Sequence, residues 1–413
     1  MNTLRKVIKE HTKIIKDFLY SFVAYALPTI VLQFIIQPLI ADRVSSESNG
    51  LFIALFNVLK LLTGMLIMPL ANLRLLKKNE TEKERDLNSF FNFLFLIIVS
   101  LSVIFGTVLN SSYRHFEFTT GNMISFATIL LLMSVHDYYM IAYRIILDYK
   151  KIVIDNIAIV IGYGVGTVAF LLTGLWEIIF IIGYLFGTVY VLATTSLWKS
   201  IPKARISKRN SVVKEYSELS VSALLTNAST YCDRLIIYPV LGGYDVSVYN
   251  AAAIVSKAIS VLSAPLRNVL LSYIMDQDGL NINKKKLKKI LFVYSAVFIL
   301  LFCVFYLFSI IACNFLYPQY AVEARHYIPI IILAIMIETT GAIMNIALLR
   351  FAAAKVQTIN SAIKLATYLL AIALFAVVFK MGLIGFCLSI LLADLMFTTA
   401  VVLGLKNITN RRK

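Results

Sequence analysis

Six basic residues of this 413-residue chain fall inside long apolar runs: Lys60, Arg144, Arg234, Lys257, Arg267 and Lys364. A cation at the centre of a hydrocarbon layer costs at least about 2.5–3.5 kcal/mol, so such a residue faces a helix-bundle interior or a wet cavity. Lys60 and Lys257 lie near the middles of their runs, too deep for their stems to reach the membrane surface. Arg267 falls further along the same run as Lys257, whereas Arg144 and Lys364 are near enough to run ends to anchor a helix. Four acids share these depths: Asp137, Asp233, Glu338 and Asp394. Such buried cations are the best candidates for a functional role. The acids would neutralise cations across helix interfaces, or bind the proton or sodium ion that drives a transport cycle. Asp137 and Arg144, seven residues apart, are expected to share a helical face. Asp233 and Arg234 diverge by about 100° on an ideal helix and are not expected to face each other.

Signatures of covalent chemistry are missing. The chain has no GxxxxGK phosphate loop, no HExxH and no GxSxG, the patterns that would mark nucleotide, zinc and acyl-transfer sites. His11, His115, His136 and His326 are scattered, and Cys232, Cys303, Cys313 and Cys387 show no CxxC spacing. We therefore expect no catalytic residues, no metal centre, no cofactor beyond a coupling ion, and four free thiols.

The elements that must position the buried charges follow from composition. With 60% hydrophobic residues, 15% charged residues and a mean hydropathy of +0.82, lipid is the solvent for most of the chain. Apolar runs predict helical spans over 18–40, 50–71, 90–109, 122–146, 152–173, 178–198, 217–240, 246–274, 290–312, 327–349, 358–379 and 383–404. Each run is long enough for a membrane helix and lacks the alternation of a barrel strand. The formal charge of +17 would suggest nucleic acid in a soluble protein. Here 29 of the 39 Lys and Arg residues lie in the two termini and alternate loops, and only Arg43, Arg114, Arg325 and Lys380 lie in the others. Such lopsidedness predicts cytoplasmic termini and excludes a nucleic-acid partner as its explanation.

Residues 1–17 form a basic amphipathic segment suited to the surface of anionic lipid. An N-lobe over 18–198, a basic cytoplasmic linker over 199–216, a C-lobe over 217–404 and a basic tail over 405–413 complete the expected organisation. The second span carries Lys60 followed by PLANL at 69–73, and the eighth carries Lys257 followed by PLRNV at 265–269. That echo makes the two six-helix lobes parallel repeats, a plan that places a substrate site between bundles near mid-membrane. Pro28, Pro38, Pro239 and Pro265 are expected to kink or end helices. Gly162, Gly164, Gly166, Gly183 and Gly187 are expected to permit close packing of spans five and six.

Residues 214–272 contain DRLIIYPVLG, VSVYNAAAIVSK and PLRNVLLS, and this stretch resembles the seventh and eighth helices of bacterial polysaccharide flippases of the Wzx type. Their wider superfamily includes multidrug and toxin extrusion (MATE) proteins and lipid II flippases. The resemblance implies an all-α polytopic protein of MATE-like fold in the bacterial inner membrane. Its substrate would be an undecaprenyl-diphosphate-linked oligosaccharide, of O-antigen or capsule type. Lys60, Lys257, Arg267 and Arg234 would form the cationic cavity that receives the diphosphate, with H⁺ or Na⁺ as coupling ion and polysaccharide polymerase machinery as a partner. A multidrug cation antiporter of the same fold is the alternative, although cations outnumber acids among the deep residues. A major-facilitator-type sugar porter also has twelve helices, but NLRLLKKNETEKERDLNS at 72–89 lacks the GxxxDRxGRR-like pattern expected there.

Overall fold

Backbone N–H and C=O groups find no water in a hydrocarbon layer, so an apolar chain satisfies them within helices. The computed structural model describes residues 20, 22–24, 26–83, 85–114, 119–203, 209–256, 259, 284–351 and 354–411. Six helices fill the first half: α1 (Phe22–Arg43), α2 (Ser46–Leu76), α3 (Asp86–Tyr113), α4 (Thr120–Ile145), α5 (Tyr149–Thr173) and α6 (Glu177–Thr194). In the second half are α7 (Arg209–Leu241), α8 (Gly243–Ala252), α9 (Lys284–Leu316), α10 (Ile328–Phe351), α11 (Ala354–Ile372) and α12 (Gly382–Arg411).

Among the described residues, 10 helices are long and apolar enough to cross a membrane. The other two are α7 and α8. The 33-residue α7 is diluted by polar residues, and the span expected over 246–274 extends past α8 into residues outside those described. One boundary differs from expectation. The stretch read as linker through residue 216 becomes helical at Arg209, because polar side chains sustain α7 before its apolar part begins. There Ser211 donates to Glu215 across one turn (2.8 Å). The amphipathic segment at 1–17 lies outside the described residues.

Two prolines leave a mark on the helices that hold them. A proline ring collides with the carbonyl four residues earlier and supplies no N–H. Just ahead of Pro38, α1 loosens into a π-helical turn at Leu32–Ile36, and just ahead of Pro69, α2 does the same at Thr63–Ile67. Each extra residue moves the obstructing carbonyl aside. Pro239 instead lies near the end of α7, which stops at Leu241.

The chain divides into two compact units, one built from 1–44 and 54–227, the other from 45–53 and 228–413. Helices α2 and α7 thus each contribute to both. In the first unit, glycines bring α5 and α6 together: a Cβ on Gly162 would lie 2.8 Å from Gly183 Cα, and one on Gly166 2.6 Å from Ile179 Cα, whereas Gly164, also expected in that contact, is exposed and has nothing within 4 Å of its Cβ position. Its buried core runs through Phe90, Phe91, Phe95, Tyr138 and Tyr143. Phe95 and Tyr138 stack with ring centroids 4.2 Å apart. The second unit buries Ile237, Val246, Val248, Ile328, Ile332 and Phe386.

Candidate functional site

In the first unit α2 carries Lys60 just before its π turn. The Lys60 ammonium donates to the Tyr184 hydroxyl of α6 at 3.1 Å and stands 5.5 Å from the centre of the Phe56 ring and 5.8 Å from that of Tyr184. Among the described residues, no carboxylate lies within ion-pair distance of it. A half-buried ammonium held by the Tyr184 hydroxyl beside the Phe56 ring keeps its charge available to an anion.

Tyr184 also meets His136 of α4 edge to face, centroids 5.9 Å apart. Both nitrogens of His136 face carboxylates. Nε2 lies 2.7 Å from Asp155 Oδ2 of α5, and Nδ1 lies 3.0 Å from Asp137 Oδ1. Asp155 is fully buried and His136 nearly so. Gly187 allows α6 to close over this group, since a Cβ there would lie 3.0 Å from His136 Cδ2.

Asp137 turns to His136, and Arg144, expected on the same face seven residues on, finds a different partner beyond the turn at Met140 that divides α4. Arg144 donates instead to Asn72 Oδ1 on α2 (3.3 Å).

In the second unit, Arg234 and Asp233 do face each other, contrary to expectation. The Asp233 carboxylate folds back on the Arg234 amide at 2.8 Å. From there it takes two bonds from Arg234 Nη1, at 3.0 Å and 2.8 Å. The long guanidinium stem bridges the angular gap that the helix opens, and Tyr249 completes the arrangement by donating to Asp233 at 2.7 Å. Lys364 does not extend toward a membrane surface. Its ammonium, on α11, lies 2.5 Å from Glu338 of α10 and 2.8 Å from Asp394 of α12, joining three helices through one charge cluster. Lys257 and Arg267 lie outside the described residues.

Three arrangements escaped the sequence reading. Arg74, counted there among loop cations, is completely buried and donates to Asn92 at 3.1 Å and to Tyr138 at 2.9 Å, with Asn88 as a third acceptor. Asn92 in turn donates to the carbonyls of Leu197 and Ser200, both at 2.9 Å. The second is the His136 and Asp155 pair. The third joins Arg114 to Glu177 at 3.0 Å. The signal available for Asp155 and His136 was simply an acid and an imidazole inside apolar runs.

Groups outside the spans are perturbed too. Hydrogen bonds from Ser211 and Lys77 hold the Glu215 carboxyl below its ordinary value of 4.5, with Lys77 Nζ 3.0 Å away. Near the start of α8, the Tyr244 hydroxyl donates to Glu323 at 2.6 Å, and that bond pushes it up to about 12.

No protein-family model and no curated protein matches the chain by sequence. Solved structures do match it in fold. An inward-facing multidrug resistance MATE family transporter of the MOP superfamily superposes with a TM-score of 0.68 at 12% identity, covering 94% of this chain and 98% of that one. The lipid II flippase MurJ in its inward closed conformation gives 0.67 at 16% identity, covering 96% and 87%. A MOP superfamily transporter from Pyrococcus furiosus, described as having a binding pocket of reverse polarity, gives 0.61 at 13% identity, covering 97% and 96%. The chain is thus an all-α, multi-pass membrane protein of MATE-like fold, with about twelve membrane helices.

Proposed function

We propose that this protein is a transporter that flips an undecaprenyl-diphosphate-linked oligosaccharide, of O-antigen or capsule type, across the bacterial plasma membrane. The observation that carries this reading is Lys60: a membrane-embedded ammonium with no carboxylate at ion-pair distance among the described residues. A permanent charge held in that way is most stabilised when an anion arrives, and a diphosphate supplies one. Lys257 and Arg267 would extend the cationic surface. Arg234, already bonded twice to Asp233, would contribute less. The fold shared with a lipid II flippase supports a lipid-linked substrate.

Turnover would proceed by alternating access under a proton or sodium gradient, without covalent chemistry. Both termini would be cytoplasmic, and polysaccharide polymerase machinery would take over the product. In cells whose surface polymer depends on this chain, Lys60→Ala should abolish polymer at unchanged membrane abundance, and Lys60→Arg should restore part of it. Normal polymer in Lys60→Ala would overturn the proposal. Loss of resistance to cationic toxicants, with polymer intact, would favour a cation antiporter instead.

A further inference from the structure

The arrangement around His136 permits a proton count. Ionised carboxylates only accept hydrogen bonds, and a neutral imidazole carries a single N–H. Asp155 Oδ2 stands 2.7 Å from Nε2 and Asp137 Oδ1 3.0 Å from Nδ1. Both contacts are attractive only when the three groups together hold at least two protons, as imidazolium between two carboxylates or as neutral imidazole with one carboxylic acid. With one proton fewer, a nitrogen lone pair confronts a carboxylate lone pair, and one contact must open.

Burial decides which contact opens. Asp155 is fully enclosed, while the Asp137 side chain is 21% exposed. We propose that His136, Asp137 and Asp155 form a proton-binding site in the first unit, loaded and emptied through Asp137, that couples transport to a proton gradient. The proton that leaves passes from the cluster to water beside Asp137, and no bond between heavy atoms changes. Asp155 Oδ1, buried and without a hydrogen-bond partner, is a further acceptor facing the same interior. A sodium ion fits poorly, since the imidazole occupies the gap between the carboxylates and hard cations select oxygen ligands.

The charged and titratable groups around the site come from each neighbouring element. Helix α2 presents Lys60, which reaches the site through Tyr184. Tyr163 of α5 meets Tyr184 edge to face, centroids 6.2 Å apart, and Tyr143 of α4 stands 6.4 Å from Tyr190 of α6, ring to ring. The Tyr184 ring, against His136 on one side and bonded to Lys60 on the other, links proton occupancy to the cation assigned to the substrate. In that respect the inference rests on the transporter reading.

The test needs no substrate. The full chain, ¹⁵N-labelled at histidine and placed in lipid nanodiscs, is titrated by NMR, with the His136 signals assigned in a variant in which His11, His115 and His326 are each replaced by Gln. The His136 nitrogen signals should change with one midpoint within the pH range where helix content is retained, from two N–H groups to one where the proton leaves the ring, and by altered hydrogen bonding of the ring nitrogens where it leaves a carboxyl. Asp155→Asn and Asp137→Asn should each move that midpoint by about 1–3 pH units. Nitrogen signals that do not change with pH, or a midpoint that neither substitution moves, would overturn the proton site. Normal surface polymer in Lys60→Ala would remove the flippase reading and leave this titration unaffected, so the two failures are distinguishable.

Discussion

Gly50 and Gly243 touch backbone to backbone: a Cβ built on Gly50 would fall 2.0 Å from the Gly243 carbonyl oxygen. They sit near the starts of α2 and α8, the two helices that the PLANL and PLRNV echo relates. Hydrogen bonds seal the crossing, from the Gly243 N–H to Glu47 Oε2, from Asn49 Nδ2 to Ser247 Oγ and from Ser247 Oγ to the Ser46 carbonyl, each at 2.9 Å.

No side chain fits there, so Gly50→Ala should lower the midpoint of thermal inactivation in detergent, at a cost of about 1–3 kcal/mol or more. Gly164→Ala is the control, because nothing lies within 4 Å of its Cβ position. It should be neutral or gain up to about 1 kcal/mol from helix propensity. Equal behaviour of the two variants would show that the crossing is not tight.

The Lys364 cluster predicts a different pattern. Lys364→Met leaves Glu338 and Asp394 facing a buried site without their cation and should destabilise the protein by about 3–5 kcal/mol. Adding Asp394→Asn removes one stranded charge and should recover part of that loss. A double variant no more stable than the single one would contradict the ion-triad reading. Thermal inactivation of both, at matched expression, makes the comparison.

Arg74 is held by three neutral acceptors rather than by an acid, so its removal strands no opposite charge. Arg74→Met should cost at least about 1.5–3 kcal/mol, the value of one hydrogen bond to a charged group. Arg74→Lys should not rescue it, because one ammonium does not reproduce the fork that spans Asn88, Asn92 and Tyr138. Full rescue by lysine would make the charge alone the important property.

At the start of α7, the lowered Glu215 carboxyl gives a pH dependence of known sign. The folded protein holds the carboxylate more strongly than the unfolded chain does, so the contribution is complete above about pH 4.5 and fades as pH falls through the folded value. Glu215→Gln should flatten that acid limb by lowering stability slightly at neutral pH, the difference being small because the exposed pair is screened by solvent. Melting curves from pH 7 to pH 3 should show the two proteins apart at the neutral end and converging at the acid end. Identical acid limbs would exclude Glu215 as a contributor.

How far the molecule could be read beforehand depended on the range of the forces involved. Spans such as 152–173 and 178–198 were legible because lipid imposes the same demand on each residue of a run, and the helices observed match them closely. Arg74 was misread because it lies at a run's end beside Lys77 and Lys78, where a cation ordinarily meets water. What encloses it comes from α3, α4 and the segment at 197–200, partners that no local pattern announces. The partners of Asp137 and Arg144, His136 and Asn72, were not legible from the seven-residue spacing, which speaks only of a common helical face and not of what lies opposite it. Asp233 and Arg234 paired because a flexible side chain overrode the helical phase on which the contrary expectation was based.

The π turn at Thr63–Ile67 sits between Lys60 and the firmly anchored Arg74, and its Leu66 carbonyl is taken up by the Tyr216 hydroxyl at 3.1 Å. Such a turn holds one residue more than an α-helical register requires. Pro69 fixes that surplus in place, so Lys60 stands about 100° around the axis and about 1.5 Å along it from where an unbroken α-helix would set it relative to Arg74. The aim of the buried ammonium is thus set by a proline nine residues further along the chain.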